Sequence, residues 1–187
     1  ASATLIIWLL STLTDAGTEQ YILQKETVSE EELDSAWTLD FFLKSIVFLL
    51  ICAVSPLASY YFGNDDVSLI IISMSVLMVI AAFNNPGLWL LKREQNYKKI
   101  VFTSLFAKFF TLFVSIPLAL YLNNHWALII AQIFYSSFKM ISSHVITKRR
   151  LKFCTKHIAK QWNFSKWLVP QALVGYFRIH IDALIVG

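Results

Sequence analysis

The stretch "IVFTSLFAKFFTLFVSIPLALYLNNHWALIIAQIFYSSFKMISSHVITKRR", residues 100–150, decides the fold. It holds two apolar runs, 100–122 and 126–147, joined by the short polar "NNH" and closed by a basic cluster. At ~1.5 Å rise per residue each run spans ~30 Å or more as a helix, the thickness of a bilayer's hydrocarbon core. Each run carries one row of polar residues. Ser104, Lys108, Thr111 and Ser115 mark the first, and Gln132, Ser136, Lys139 and Ser143 the second. The spacing i, i+4, i+7, i+11 puts each row on one face of a helix.

Outward from this pair the pattern repeats. Further complete spans are read at 39–62 and 67–91, and another begins near Phe164 and runs to Gly187. The chain is 57% hydrophobic and 15% charged, with a mean hydropathy of +0.59, and its charges sit in blocks between apolar runs. This predicts an all-α, polytopic transmembrane helix bundle, since a soluble core has no need of repeated ~20-residue apolar runs. The domain reading is a partial transmembrane helix over 1–14, then an acidic loop and interfacial helix over 15–38. Four transmembrane helices fill 39–147, a basic loop 148–163, and the start of a next helix 164–187. The opening "ASATLIIWLLSTL" lacks the basic start of a signal peptide and is too short to span. It is expected to be the end of a helix, and the chain a fragment of a longer protein.

Loop charges set the orientation. "KREQNYKK" (92–99) and "KRRLKFCTKHIAK" (148–160) are basic, the second with six Lys/Arg and no acid, whereas "GNDD" (63–66) and "NNH" (123–125) have no Lys or Arg. The positive-inside rule places the basic loops in the cytoplasm, and parity places the acidic 15–38 loop with them. In that loop Ser29 and Glu32 form a capping box that predicts a helix start, with Trp37 at headgroup level. Pro56 and Pro117 predict kinks, and "NNPG" (84–87) predicts a break near the inner end of its segment. Cys52 and Cys154 have no disulfide or metal spacing.

Two more segments carry polar rows: Asp40, Lys44, Ser55 and Ser59, and then Gln171, Gly175, Arg178 and Asp182. No such row faces lipid cheaply, so the simplest arrangement turns all four towards a shared interior. For Ser, Thr and Gly alone, close helix packing is sufficient explanation. Lysines need a partner, water or an anionic ligand. Lys108 and Lys139 each lie ~12 Å in from the basic end of their spans, with Lys44 shallower, so the three are expected to ring one half of a cavity. Snorkelling of each stem to the headgroups is the competing reading. Arg178 and Asp182 are spaced to pair, either as a structural ion pair or as a cavity wall. His180 points to another face and reads as packing. The candidate cavity residues are thus Lys44, Lys108, Lys139, Gln132, Gln171, Arg178 and Asp182.

These segments resemble a known family. "GTEQYILQKETVSEEEL", "PGLWLLKREQNYKKI", "HWALIIAQIFYSSFKMI" and "FSKWLVPQALVGYFRIHIDALIVG" are similar, in order and spacing, to the stretches around helices two to seven of the oligosaccharide (O-antigen, Wzx-like) flippases of the MOP superfamily. "NNHW" stands where that family often has glycines. The resemblance implies a two-lobed transporter of twelve to fourteen helices with a central cavity, of which this chain is part of the N-terminal lobe. The implied substrate is an undecaprenyl-pyrophosphate-linked oligosaccharide turned across the plasma membrane for polysaccharide or O-antigen biosynthesis. It also implies coupling to a proton or sodium gradient and partnership with other polysaccharide assembly proteins.

The alternative of the same architecture is a MATE-like cation-coupled exporter of small molecules, which would favour an acidic cavity. Lys44, Lys108, Lys139 and Arg178 outnumber Asp40 and Asp182 and favour an anionic cargo. No triad, Gly-rich phosphate loop or zinc spacing is present in the sequence, so neither an enzyme nor a cofactor is expected. The basic loop is short and flanks membrane spans. It reads as anchoring to anionic membrane lipid, with no nucleic-acid partner.

Overall fold

A computed structural model describes residues 17–63, 65–124 and 126–186. The segment 1–14, read as a partial helix, lies outside the described residues. The fold is all-α. A helix over 17–24 (α1) precedes α2 (Glu30–Phe62), α3 (Asp65–Ala82), α4 (Gly87–Arg93), α5 (Tyr97–Leu122), α6 (Trp126–Thr147) and α7 (Ile158–Val186). Contacts divide the chain into two compact units, one from the described parts of 1–44 and 152–187, the other from 45–151.

In the first unit the start of α2 is set by the capping box. The Ser29 N–H donates to the Glu32 carboxylate, and the Glu32 N–H donates to Ser29 Oγ at 3.2 Å. Every residue from Glu32 to Asp40 is buried. Trp37, expected at headgroup level, is instead 2% exposed, with its ring 4.9 Å from that of Phe153 and 5.8 Å from that of Phe41. The reason is the segment 152–157, which lies along this turn of α2. The Cys154 N–H donates to Thr38 Oγ1 at 3.0 Å, the His157 N–H to Ser35 Oγ, and Gln161 Nε2 to the Glu32 carbonyl at 2.8 Å. α7 therefore starts at Ile158, ahead of the Phe164 read from hydropathy, because its first turns are held by polar contacts. On its other side Gly17 meets Ser165. A Cβ there would stand 2.6 Å from Ser165 Cβ, so only glycine allows this approach. Tyr21 packs edge-on against Phe164 next to it.

The second unit is built on α6. α3 packs on one part of α6, α5 on another, and the short α4 touches both α5 and α6. Small residues serve the close contacts: Ala82 and Ser75 on α3, and Ala127, Ala131 and Ser143 on α6, are buried. The α5–α6 seam is aromatic, with Phe110 stacked on Phe134 and Phe138 and Phe106 against Phe138, all at 5.8–6.0 Å. α5 ends where Asn123 takes a left-handed conformation (φ 47°) and its N–H closes on the Ala119 carbonyl. Asparagine tolerates this backbone better than other side chains, so it fills the place of a C-terminal glycine.

α2 (over Glu30–Leu57) and α5 are long and apolar enough to cross a membrane, and α3 with α4, bent by 72° at their break, makes a third if counted as one span. Four complete spans were expected. α6 falls outside this set: Gln132, Lys139, His144 and its serines lower its mean hydropathy.

Candidate functional site

Three places gather polar chemistry, and the sequence anticipated each differently. The first is the polar row of α2. Asp40 and Lys44 are 3% and 6% exposed, with Lys44 Nζ donating to Asp40 Oδ2 at 2.8 Å and Thr18 Oγ1 donating to Asp40 Oδ1 at 3.2 Å. In the second unit Ser55, 2% exposed, accepts from Ser68 Oγ of α3 at 3.1 Å. This row does face the protein interior. Lys44, expected as one of three cations open to a cavity, is already held by a carboxylate. Placed one turn apart in a dry helix, the two charges neutralise each other.

The second place comprises Lys108, Gln132 and Lys139. All three are exposed. By the 3.6-residue period, the row Ser104–Lys108–Thr111–Ser115 lies across α5 from Phe106 and Phe110. The row Gln132–Ser136–Lys139 lies likewise across α6 from Phe134 and Phe138. The seam is thus aromatic, and it does not bring Lys108 and Lys139 together between the two helices. On α5 the small hydroxyls turn back onto their own helix, Thr111 Oγ1 to the Ala107 carbonyl and Ser115 Oγ to the Leu112 carbonyl. Gln171 and Arg178 are exposed on α7. The side chain of Asp182 lies outside the described residues, and with it the question of an Arg178–Asp182 pair.

The third place, which reading the sequence marked only as a break, is a hydrogen-bonded node at "NNPG". Asn85 is 1% exposed and uses every polar group it has. Its N–H donates to Ser143 Oγ at 3.0 Å, its Oδ1 accepts from the Gly87 N–H at 3.0 Å, and its Nδ2 donates to the Arg149 carbonyl at 2.8 Å. Nδ2 also lies 3.3 Å from His144 Nδ1, while His144 Nε2 is 3.0 Å from the Phe83 carbonyl. The amide donor of Asn85 on one side and the Phe83 carbonyl acceptor on the other suit a His144 ring that accepts at Nδ1 and donates from Nε2. The groups that the break frees from α3 and α4 are thus satisfied by α6 and the residues after it. Gly87 allows the approach: a Cβ there would stand 2.8 Å from Thr147 Cβ.

Reading the loops by sign alone also missed their attraction. Lys156 Nζ pairs with Glu31 at 2.7 Å, and Lys25 pairs with Glu32. Hydrogen bonds to these carboxylates raise both lysines above the ordinary ammonium range. The acidic turn of α2 and the basic loop therefore lie on the same side of the first unit. No local spacing signals this, since the partners are 125 residues apart. Among the described residues no group of three His, Cys, Asp or Glu could hold a metal ion.

A family model for polysaccharide biosynthesis proteins matches residues 1–187. The chain belongs to this family. It is also similar to the lipopolysaccharide biosynthesis protein WzxC of Escherichia coli (strain K12), at 24% identity over 193 residues, covering 97% of this chain and 38% of that protein. The chain thus spans well under half the length of the curated relative it matches. No solved structure matches it. Family and apolar helices together make it an integral membrane component of polysaccharide biosynthesis.

Proposed function

We propose that the whole protein translocates a lipid-linked oligosaccharide, with an undecaprenyl-pyrophosphate carrier, across the bacterial plasma membrane, and that it does so without catalysing a covalent change. The reading rests on family membership and on one observation: Lys108 and Lys139 are exposed on the polar rows of otherwise apolar helices, turned away from the seam those helices share. An ammonium in such a place is costly against acyl chains and comfortable against water and phosphate. In this proposal the rows face the part of the transport path completed by the rest of the protein, and the hydroxyl and amide groups beside them meet sugar hydroxyls. In this proposal Arg178 and Gln171, exposed on α7 of the first unit, also contact the substrate. Lys44 is a structural member, committed to Asp40. The basic loops, and the acidic turn that Lys156 pairs with, lie in the cytoplasm, and a proton or sodium gradient drives the cycle.

The test is export in cells carrying the full-length protein with Lys108→Gln and Lys139→Gln. At unchanged protein levels, export of the lipid-linked glycan should fall on the order of tenfold, about 1.4 kcal/mol. Export at the unsubstituted rate would discard the reading.

A further inference from the structure

Between α5 and α6 an open groove of about 320 Å³ is lined mainly by Phe102, Phe106, Phe138, Ile141, Val145 and Ile146, with Thr103 and Ser142. Its walls are mostly apolar, and Thr103 Oγ1 is committed to the Lys99 carbonyl at 2.8 Å. The groove belongs to one end of the helix pair. Phe102 stands about one and a half turns inside the start of α5 at Tyr97, and Val145 stands just before the end of α6 at Thr147.

That same end is cationic. Lys99, Phe102, Thr103 and Phe106 follow the spacing i, i+3, i+4, i+7, so Lys99 continues the groove-lining row of α5. Lys98 is its neighbour, and Lys148 and Arg150 follow directly on α6; all four are exposed. Lys148 takes a left-handed backbone (φ 48°) with its N–H on the His144 carbonyl, which stops the helix at the rim. The first turn of α5 has no acid, and Glu94 is the one acidic residue in 92–99. An apolar trough that ends in four exposed cations is complementary to a molecule with a hydrocarbon chain and an anionic head.

We infer that this groove is a binding site for an anionic phospholipid of the surrounding bilayer, one acyl chain lying against Phe102, Phe106 and Phe138 and the phosphate held by Lys99, Lys148 and Arg150. The geometry suits each part. Within the bilayer any acyl chain can lie against these rings, so packing sets the fit and the charges set the choice of lipid. The lysine stem runs along the apolar wall and delivers its ammonium at headgroup level. Charge-assisted hydrogen bonds to phosphate then separate anionic from zwitterionic lipids. Lys108 lies across α5 from the groove, and neither Lys108 nor Lys139 supplies a contact proposed here, so the site stands whether or not those lysines meet a substrate.

The experiment is native mass spectrometry of the full-length protein released from nanodiscs that contain equal phosphatidylglycerol and phosphatidylcholine. The unsubstituted protein should retain phosphatidylglycerol preferentially. Lys99→Gln with Lys148→Gln should weaken that retention by on the order of fivefold per cation removed. Ser142→Leu, which fills the groove and leaves the charges, should displace the bound lipid while the protein remains folded. Equal retention of the two lipids by the unsubstituted protein would overturn the inference, as would retention unchanged in both variants. Absence of any retained lipid, the outcome if another helix of the full-length protein covers the groove, would overturn it too.

Discussion

Asp40 and Lys44 are one helical turn apart, and together they illustrate how much a single contact changes the meaning of a charge. In sequence, Lys44 is an ammonium in an apolar run with the same spacing as Lys108 and Lys139. In the structure it is buried and held by Asp40, which in turn accepts from Thr18. Removing one partner of such a pair strands a charge, whereas removing both does not. Asp40→Ala should therefore destabilise the protein by ~3 kcal/mol, and Asp40→Leu with Lys44→Met should recover most of it. The thermal midpoint in detergent measures both. A double variant as unstable as Asp40→Ala would assign Lys44 a role beyond pairing. The row itself was legible from the period of the helix. The difference between a paired cation and an exposed one was not, because it depends on Thr18 and on burial that the spacing does not record. Asn85 makes the same point for a neutral residue: its four contacts reach Gly87, Ser143, His144 and Arg149, of which only Gly87 is near in sequence.

At the level of elements, helix ends and breaks were the most readable features. Ser29 and Glu32 announced the start of α2, Asn84 to Gly87 announced the break before α4, and both are where the backbone demands them. The burial of Trp37 was not foreseen, because its ring was judged by its own amphipathic character alone. The partner that buries it, Phe153, arrives from a loop more than a hundred residues away. The break before α4 also makes a sharp claim about space. Gly87 faces Thr147 so closely that a methyl group cannot enter without movement. Gly87→Ala should lower stability, although alanine is the better helix former by ~1 kcal/mol. Thr147→Gly should then relieve it, leaving a coupling of ~1 kcal/mol between the two sites in a double-mutant cycle. Additive effects would mean that α4 and α6 do not meet there.

For the whole molecule, composition and loop charge revealed a helical membrane protein, and the family match agrees with the resemblance seen in its motifs. What they could not reveal is which face of α5 and α6 meets which neighbour. The aromatic rows 106/110 and 134/138 and the polar rows behind them have the same helical period, so sequence alone does not say which is the seam. Phenylalanine stacking resolves it, and the lysines are left on outer faces. The central claim is that these outer faces look onto a wet, anion-friendly path rather than onto lipid. It is tested most directly by thiol accessibility in native membranes, using the full-length protein with its own Cys52 and Cys154 replaced by serine. Lys108→Cys and Lys139→Cys should react with a membrane-impermeant maleimide on the order of tenfold faster than Phe113→Cys, because thiolate forms only where water reaches. Labelling at both lysine positions as slow as at Phe113 would place both lysines against acyl chains and contradict the account.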